Sequence, residues 1–218
     1  MMELICKDVY RLFSSNAKGN ERELFDKTYE LGGYFAKHYV DSNSIKCLIN
    51  LERKIIHSRG RHKKFIEEKI FGIILERVCL SVIDNNTASL LLDFIKEVFD
   101  FKIPRDNFNN KRKSLSLEIL IHLSNQHEIP DMFELCLSLL KSKKNDLILA
   151  AIKFHESYCR KYETTLDEQT IKILDKIVLQ TKNRAVAIST LNVQVVTGHI
   201  SEFEAISRID TWKEENCY

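Results

Sequence analysis

The side chains in this chain best equipped for chemistry are cations gathered at a few turns. Arg59-Gly60-Arg61-His62-Lys63-Lys64 sets five basic or potentially basic groups around a glycine that lets the backbone turn, a composition suited to gripping phosphate or an acidic protein surface. Further clusters follow at Lys111, Arg112 and Lys113, at Lys141, Lys143 and Lys144, and at Lys182 and Arg184. These thirteen residues form the candidate anion- or partner-binding set.

Catalytic constellations are poor by comparison. There is no G-x-S-x-G, no glycine-rich phosphate loop and no H-E-x-x-H, and only 6 glycines from which to build such loops. His155 and Cys159 stand at i, i+4 on one helix face and could contribute to a metal site, but two ligands are not a site, and Ala151, Ile152 and Tyr158 around them indicate a structural role. His122 and His127 straddle an expected helix end and read as surface residues. Glu67 and Glu68, like Glu214 and Glu215, are adjacent and so point apart on a helix, which disfavours paired-carboxylate catalysis. No catalytic residue, metal or cofactor is expected, and the chain reads as a non-enzyme.

The elements that position these residues follow from composition. Of 218 residues, 44% are apolar and 29% charged, while glycine and proline number only 6 and 2. Such a chain buries a core and lacks the turn residues an all-β fold needs every few positions, so it should be all-α. Net charge is +2, so any field that steers a partner must be local. The charged start Met1 to Asp8 is not expected to be a secretory signal, and no stretch is long and apolar enough to span a membrane, so a cytoplasmic protein is expected. Cys6, Cys47, Cys79, Cys136, Cys159 and Cys217 show no C-x-x-C spacing, and the first five read as small core hydrophobes in a reducing compartment.

The 3.6-residue period predicts about eleven helices, over residues 3–13, 21–38, 43–57, 63–83, 87–100, 114–125, 130–141, 146–162, 166–180, 185–196 and 201–215. Leu24, Leu31 and Phe35 form an apolar stripe in the second, with Phe25, Tyr29 and Ala36 beside it. The fourth is apolar nearly all round in its second half and reads as two-sided. Thr87 is a candidate N-cap, Pro130 a first-turn proline and Gly198 a stop signal. Trp212 is expected to pack with Phe203, Ile206 and Ile209 as a terminal cap, an exposed tryptophan there indicating a partner site instead. Residues 1–218 read as one domain, with a possible sub-boundary in the irregular stretch 101–113.

Lys144-Asn145-Asp146-Leu147-Ile148-Leu149-Ala150-Ala151 and Lys182-Asn183-Arg184-Ala185-Val186-Ala187-Ile188-Ser189 align, each a polar turn leading into a helix that opens with small and aliphatic residues. With the helix from Pro130 through Leu140, this pattern resembles the HEAT and armadillo α-helical repeats, moderately over 114–196 and by helix count alone before that. The resemblance implies antiparallel helical hairpins stacked as a short α-solenoid. Paired in order, the helices put cations in the turns within pairs and acids in the turns between them: Asp41, Asp84, Glu128 and Asp131, Glu163 and Asp167, Glu202. A register stack would gather the cations along one rim. Helix dipoles explain part of this pattern, but not Lys63, Lys64 or Lys113 at expected helix starts.

The expected function is therefore a non-enzymatic protein-interaction scaffold or adaptor whose partner is another protein. Nucleic-acid binding along the basic rim is the alternative. The resemblance permits it because some HEAT-like proteins, glycosylases for alkylated bases among them, hold duplex DNA in a basic concave surface. The carboxylate and groove aromatics such a glycosylase needs are not identifiable here.

Overall fold

A computed structural model describes residues 1–15, 19–37, 42–100 and 108–216. Every regular element among them is helical: α1 (Met2–Ser15), α2 (Glu21–Lys37), α3 (Ser42–Ile56), α4 (Lys63–Leu80), α5 (Asn85–Asp100), α6 (Asn109–Ser124), α7 (Met132–Leu140), α8 (Asn145–Tyr162), α9 (Glu168–Gln180), α10 (Arg184–Val196) and α11 (Glu202–Asn216). The all-α expectation holds, and no helix among the described residues is long and apolar enough to cross a membrane. The chain separates into two compact units, residues 1–119 and 120–218, the division falling within α6. The sub-boundary expected over 101–113 falls largely on 101–107, outside the described residues, as do Lys18, Asp41 and Cys217.

In the first unit α1 packs on α2 and α3, α2 on α4, and α3 on α4 and α5. The stripe that builds α2 is where the period puts it, with Leu24, Leu31 and Phe35 buried. The second row beside it is not: Phe25 is half-buried, and Tyr29 and Ala36 are exposed, so the buried face is narrower than expected. α4 buries Ile66, Ile70, Phe71, Ile73, Ile74 and Val78, but its last turn leaves Cys79 and Leu80 in solvent, correcting the two-sided reading there. Cys79 is thus no core residue, and Cys47 is only half-buried, whereas Cys6, Cys136 and Cys159 are buried.

Two boundaries differ from expectation for a physical reason. α5 starts two residues before Thr87 because Asp84 is the capping side chain: its Oδ1 accepts the Thr87 backbone N–H at 2.9 Å and its Oδ2 accepts the Thr87 hydroxyl at 2.8 Å. α6 starts at Asn109, five residues before Ser114, so Lys111, Arg112 and Lys113 lie in a helix rather than in a loop.

In the second unit α7 packs on α8 and α9, α8 on α10, α9 on α10, and α10 on α11. Buried small residues at the starts of α8 and α10, Ala150, Ala151 and Ala187, allow close helix approach. Gly198 takes φ +70 and ends α10, a conformation that disfavours any side chain. Val178, Leu191 and Ile200 form a core against which Val195, Ala205 and Ile209 pack.

Candidate functional site

The cations of the first unit are largely engaged by their own fold. Lys63 Nζ donates to the Ile56 carbonyl at 2.7 Å, and Lys113 Nζ to the Phe99 carbonyl at 2.9 Å. Each lysine begins or lies early in one helix and reaches back to the C-terminal end of the preceding one, where unsatisfied carbonyls and the negative dipole end favour a cation. That accounts for the two lysines whose helix-start positions looked unfavourable. Arg61 and His62 approach Glu21 at 3.7 and 3.3 Å, and Lys64 approaches Glu68 at 3.9 Å. Gly60 is required by space: a Cβ there would lie 2.5 Å from the Phe13 ring.

Arg112 leaves the candidate surface altogether. Its side chain is fully buried, with Nη2 donating to Glu67 Oε1 at 2.8 Å, Nε 3.7 Å from Glu52 Oε1 and the guanidinium over the Phe108 ring at 5.2 Å. Glu52 and Glu67 are buried with it. Burial first, then the charge of Glu67, push the Glu52 carboxyl well above the usual carboxylate range, against the pull of Arg112 and Lys63. The carboxylates that come together are thus Glu52 and Glu67, whereas Glu68 is exposed. Of the first unit's candidates, Arg59 and Lys111 are exposed and make no ion pair among the described residues.

Two of the acidic turns also have structural work. Asp167 caps α9 as Asp84 caps α5: Oδ1 accepts the Thr170 N–H and Oδ2 the Thr170 hydroxyl, both at 2.8 Å. Those bonds, the backbone ones first, hold both aspartates below their ordinary pKa.

In the second unit Arg160, Lys172, Arg208 and Lys213 are ion-paired, but the candidate cations remain unspent. Lys141, Lys143, Lys144, Lys182 and Arg184 are all exposed, and no ion pair or side-chain hydrogen bond engages them among the described residues. The link from α7 to α8 that carries three of them is fixed by Ser142, whose Oγ accepts the Lys144 N–H at 3.1 Å. Beside this link lies a groove of about 520 Å³ lined by the end of α7, the start of α8 and the last turns of α9. Leu140, Ile148, Ile173 and Ile177 give it an aliphatic floor; Lys141, Lys143 and Lys176 line it, and no carboxylate does.

Lys176 and the isoleucines were not singled out from sequence. The available signal was that α9 carries two apolar stripes: Thr170, Leu174 and Val178 are buried in the core, leaving Ile173 and Ile177 as a surplus row.

Other residues with chemical potential are structural. His155 is fully buried, its Nδ1–H donating to the Ala151 carbonyl at 2.8 Å, and burial holds its pKa below the ordinary value. Cys159 is buried, and desolvation raises its thiol pKa; burial pushes Cys6 up to about 12. No three His, Cys, Asp or Glu side chains among the described residues gather as a metal site. Trp212 is buried, its Nε1–H donating to the Thr181 carbonyl at 2.8 Å, but Phe203 and Ile206 point outward at 82% and 59% exposure instead of packing with it. Compared with known proteins, the chain matches no family model, no curated protein and no solved structure.

Proposed function

We propose that the protein is a non-catalytic interaction module of stacked helical hairpins whose second unit docks an acidic surface of a partner protein. The hairpin reading is supported by the packing order within each unit. Helices neighbouring in sequence pack in pairs, α1 with α2, α3 with α4, α7 with α8 and α9 with α10, and each pair meets the next through helices two apart. The docking reading is carried by one observation: in the second unit five exposed cations, Lys141, Lys143, Lys144, Lys182 and Arg184, pair with no anion among the described residues. Lone surface cations cost nothing to leave solvated, but several in the two turns whose residues border a groove free of carboxylates attract an acidic partner and set its orientation.

The test compares the immobilised full chain with a variant in which those five residues are glutamate, using cell extract treated with nuclease. Retention of partner proteins by the native chain and their loss on the charge-reversed one is the expected result. Equal retention by both, or retention that disappears on nuclease treatment, overturns the proposal, the second outcome favouring nucleic acid.

A further inference from the structure

A solvated cationic rim needs no apolar floor, yet the groove of the second unit has one. Ile148, Ile173 and Ile177 line its base, and Lys141, Lys143 and Lys176 line it with them. Its volume, about 520 Å³, is in the range of ligand-binding clefts. The walls come from the ends of three helices and the α7–α8 link, and they present no strand edge. An extended peptide laid there would find no strand to pair with along its length, whereas a helix satisfies its own backbone.

We infer that this groove takes an acidic amphipathic helix of a partner protein, with aliphatic side chains against Ile173 and Ile177 and flanking carboxylates on Lys141, Lys143 and Lys176. The inference rests on the docking role proposed for the second unit and names the chemistry of what docks. Charge complementarity selects the acidic flanks, since three cations and no anion line the groove. Nucleic acid fits less well: its backbone offers nothing to an aliphatic floor, and no aromatic side chain lines the groove to stack a base.

The test uses the full chain labelled at isoleucine methyls. The probes are a short helix-forming peptide with leucine along one face and glutamate on both flanks, the same peptide with glutamine for glutamate, and a random-sequence DNA duplex. The glutamate peptide should shift the Ile148, Ile173 and Ile177 methyls and bind about tenfold more tightly than the glutamine peptide at low salt. The variant K141Q/K143Q/K176Q, altered only at lysines of the groove lining, should bring the two peptides to equal affinity. Unmoved methyls, equal affinity for both peptides in the native chain, or displacement of the same methyls by the duplex overturns the inference. If the glutamate peptide leaves these methyls unmoved while charge reversal still abolishes capture of nuclease-resistant partners, the docking role stands and its helical aliphatic occupant falls.

Discussion

Arg112 and Glu67 meet at 2.8 Å where neither side chain reaches solvent, and Glu52 completes the group with an oxygen 3.7 Å from the guanidinium Nε. Two carboxyls and one guanidinium would leave a buried negative charge if all were ionised. The raised pKa of Glu52 eases this by favouring its protonated form, burial and the charge of Glu67 being the causes. α3, α4 and α6 each supply one member, so the cluster fixes the register of three helices at once.

Removing the cation strands both carboxyls. Arg112→Met should cost about 3 to 5 kcal/mol at neutral pH, the usual penalty for breaking a buried pair from one side. Urea unfolding at neutral pH checks this. A loss below about 1 kcal/mol would show the carboxyls to be hydrated.

Glu52 sets a pH dependence whose sign is unusual for a carboxylate. Its folded pKa is raised, so the folded state holds a proton that the unfolded chain releases above about pH 4.3. The stabilisation is fully present below the unfolded value and is lost as pH rises through the folded one. Glu52→Gln mimics the protonated form at every pH. The variant should match the native chain in acid and become progressively the more stable of the two as pH rises; a constant offset across the range would remove Glu52 as the titrating group.

His155 acts in the opposite direction. Burial lowers its folded pKa, so its contribution is present above about pH 6.5 and is lost as pH falls toward the folded value. His155→Leu keeps an apolar side chain there and should flatten the acid-side loss of the second unit. The chain's one tryptophan, Trp212, is buried in that unit, and its emission reads this unfolding directly. An acid slope unchanged in the variant would assign the loss to another group.

Gly60 presses on Phe13 closely enough that any Cβ would overlap the ring, 2.5 Å from Cε2 and 2.6 Å from Cζ. Gly60→Ala should destabilise by about 1 to 3 kcal/mol, the range for forcing extra carbon into a packed site. The diagnostic measurement is the double-mutant cycle with Phe13→Leu. The pair should cost less than the sum of the single changes, because the smaller side chain yields the space the methyl needs.

Helix bounds were legible because apolar residues at 3.6-residue spacing and capping aspartates act locally. Asp84 was misassigned in favour of Thr87 only because both lie in one capping motif and share hydrogen bonds. Arg112 was not legible. Within Lys111-Arg112-Lys113 it reads as one more solvated charge, and its burial depends on Glu67, 45 residues earlier in sequence. Charge runs conceal such partners, since nothing nearby in sequence distinguishes a paired cation from a free one. The same blindness ranked Arg59 to Lys64 first among the candidate surfaces, although Arg61, His62 and Lys64 each have an acidic neighbour and Lys63 holds a helix end. The groove was hidden for a different reason: Ile173 and Ile177 have the spacing of core residues, and only the packing of Leu174 and Val178 shows that the core is already supplied.

The division between engaged and unspent cations makes its own prediction. Lys63 and Lys113 each donate to a carbonyl at the C-terminal end of a neighbouring helix, so Lys63→Met or Lys113→Met should lower stability by about 0.5 to 1 kcal/mol. Lys143 and Lys144 are exposed with no side-chain partner among the described residues, and Lys143→Glu with Lys144→Glu should leave stability within about 0.5 kcal/mol of the native chain. Partner binding should respond in reverse, falling with the second pair of changes and holding with the first. Thermal unfolding alongside a binding titration of the same four variants separates the two roles. A stability loss at Lys143 and Lys144 equal to that at Lys63 and Lys113 would mean that these two lysines are spent internally as well, and the docking edge would have to be sought elsewhere.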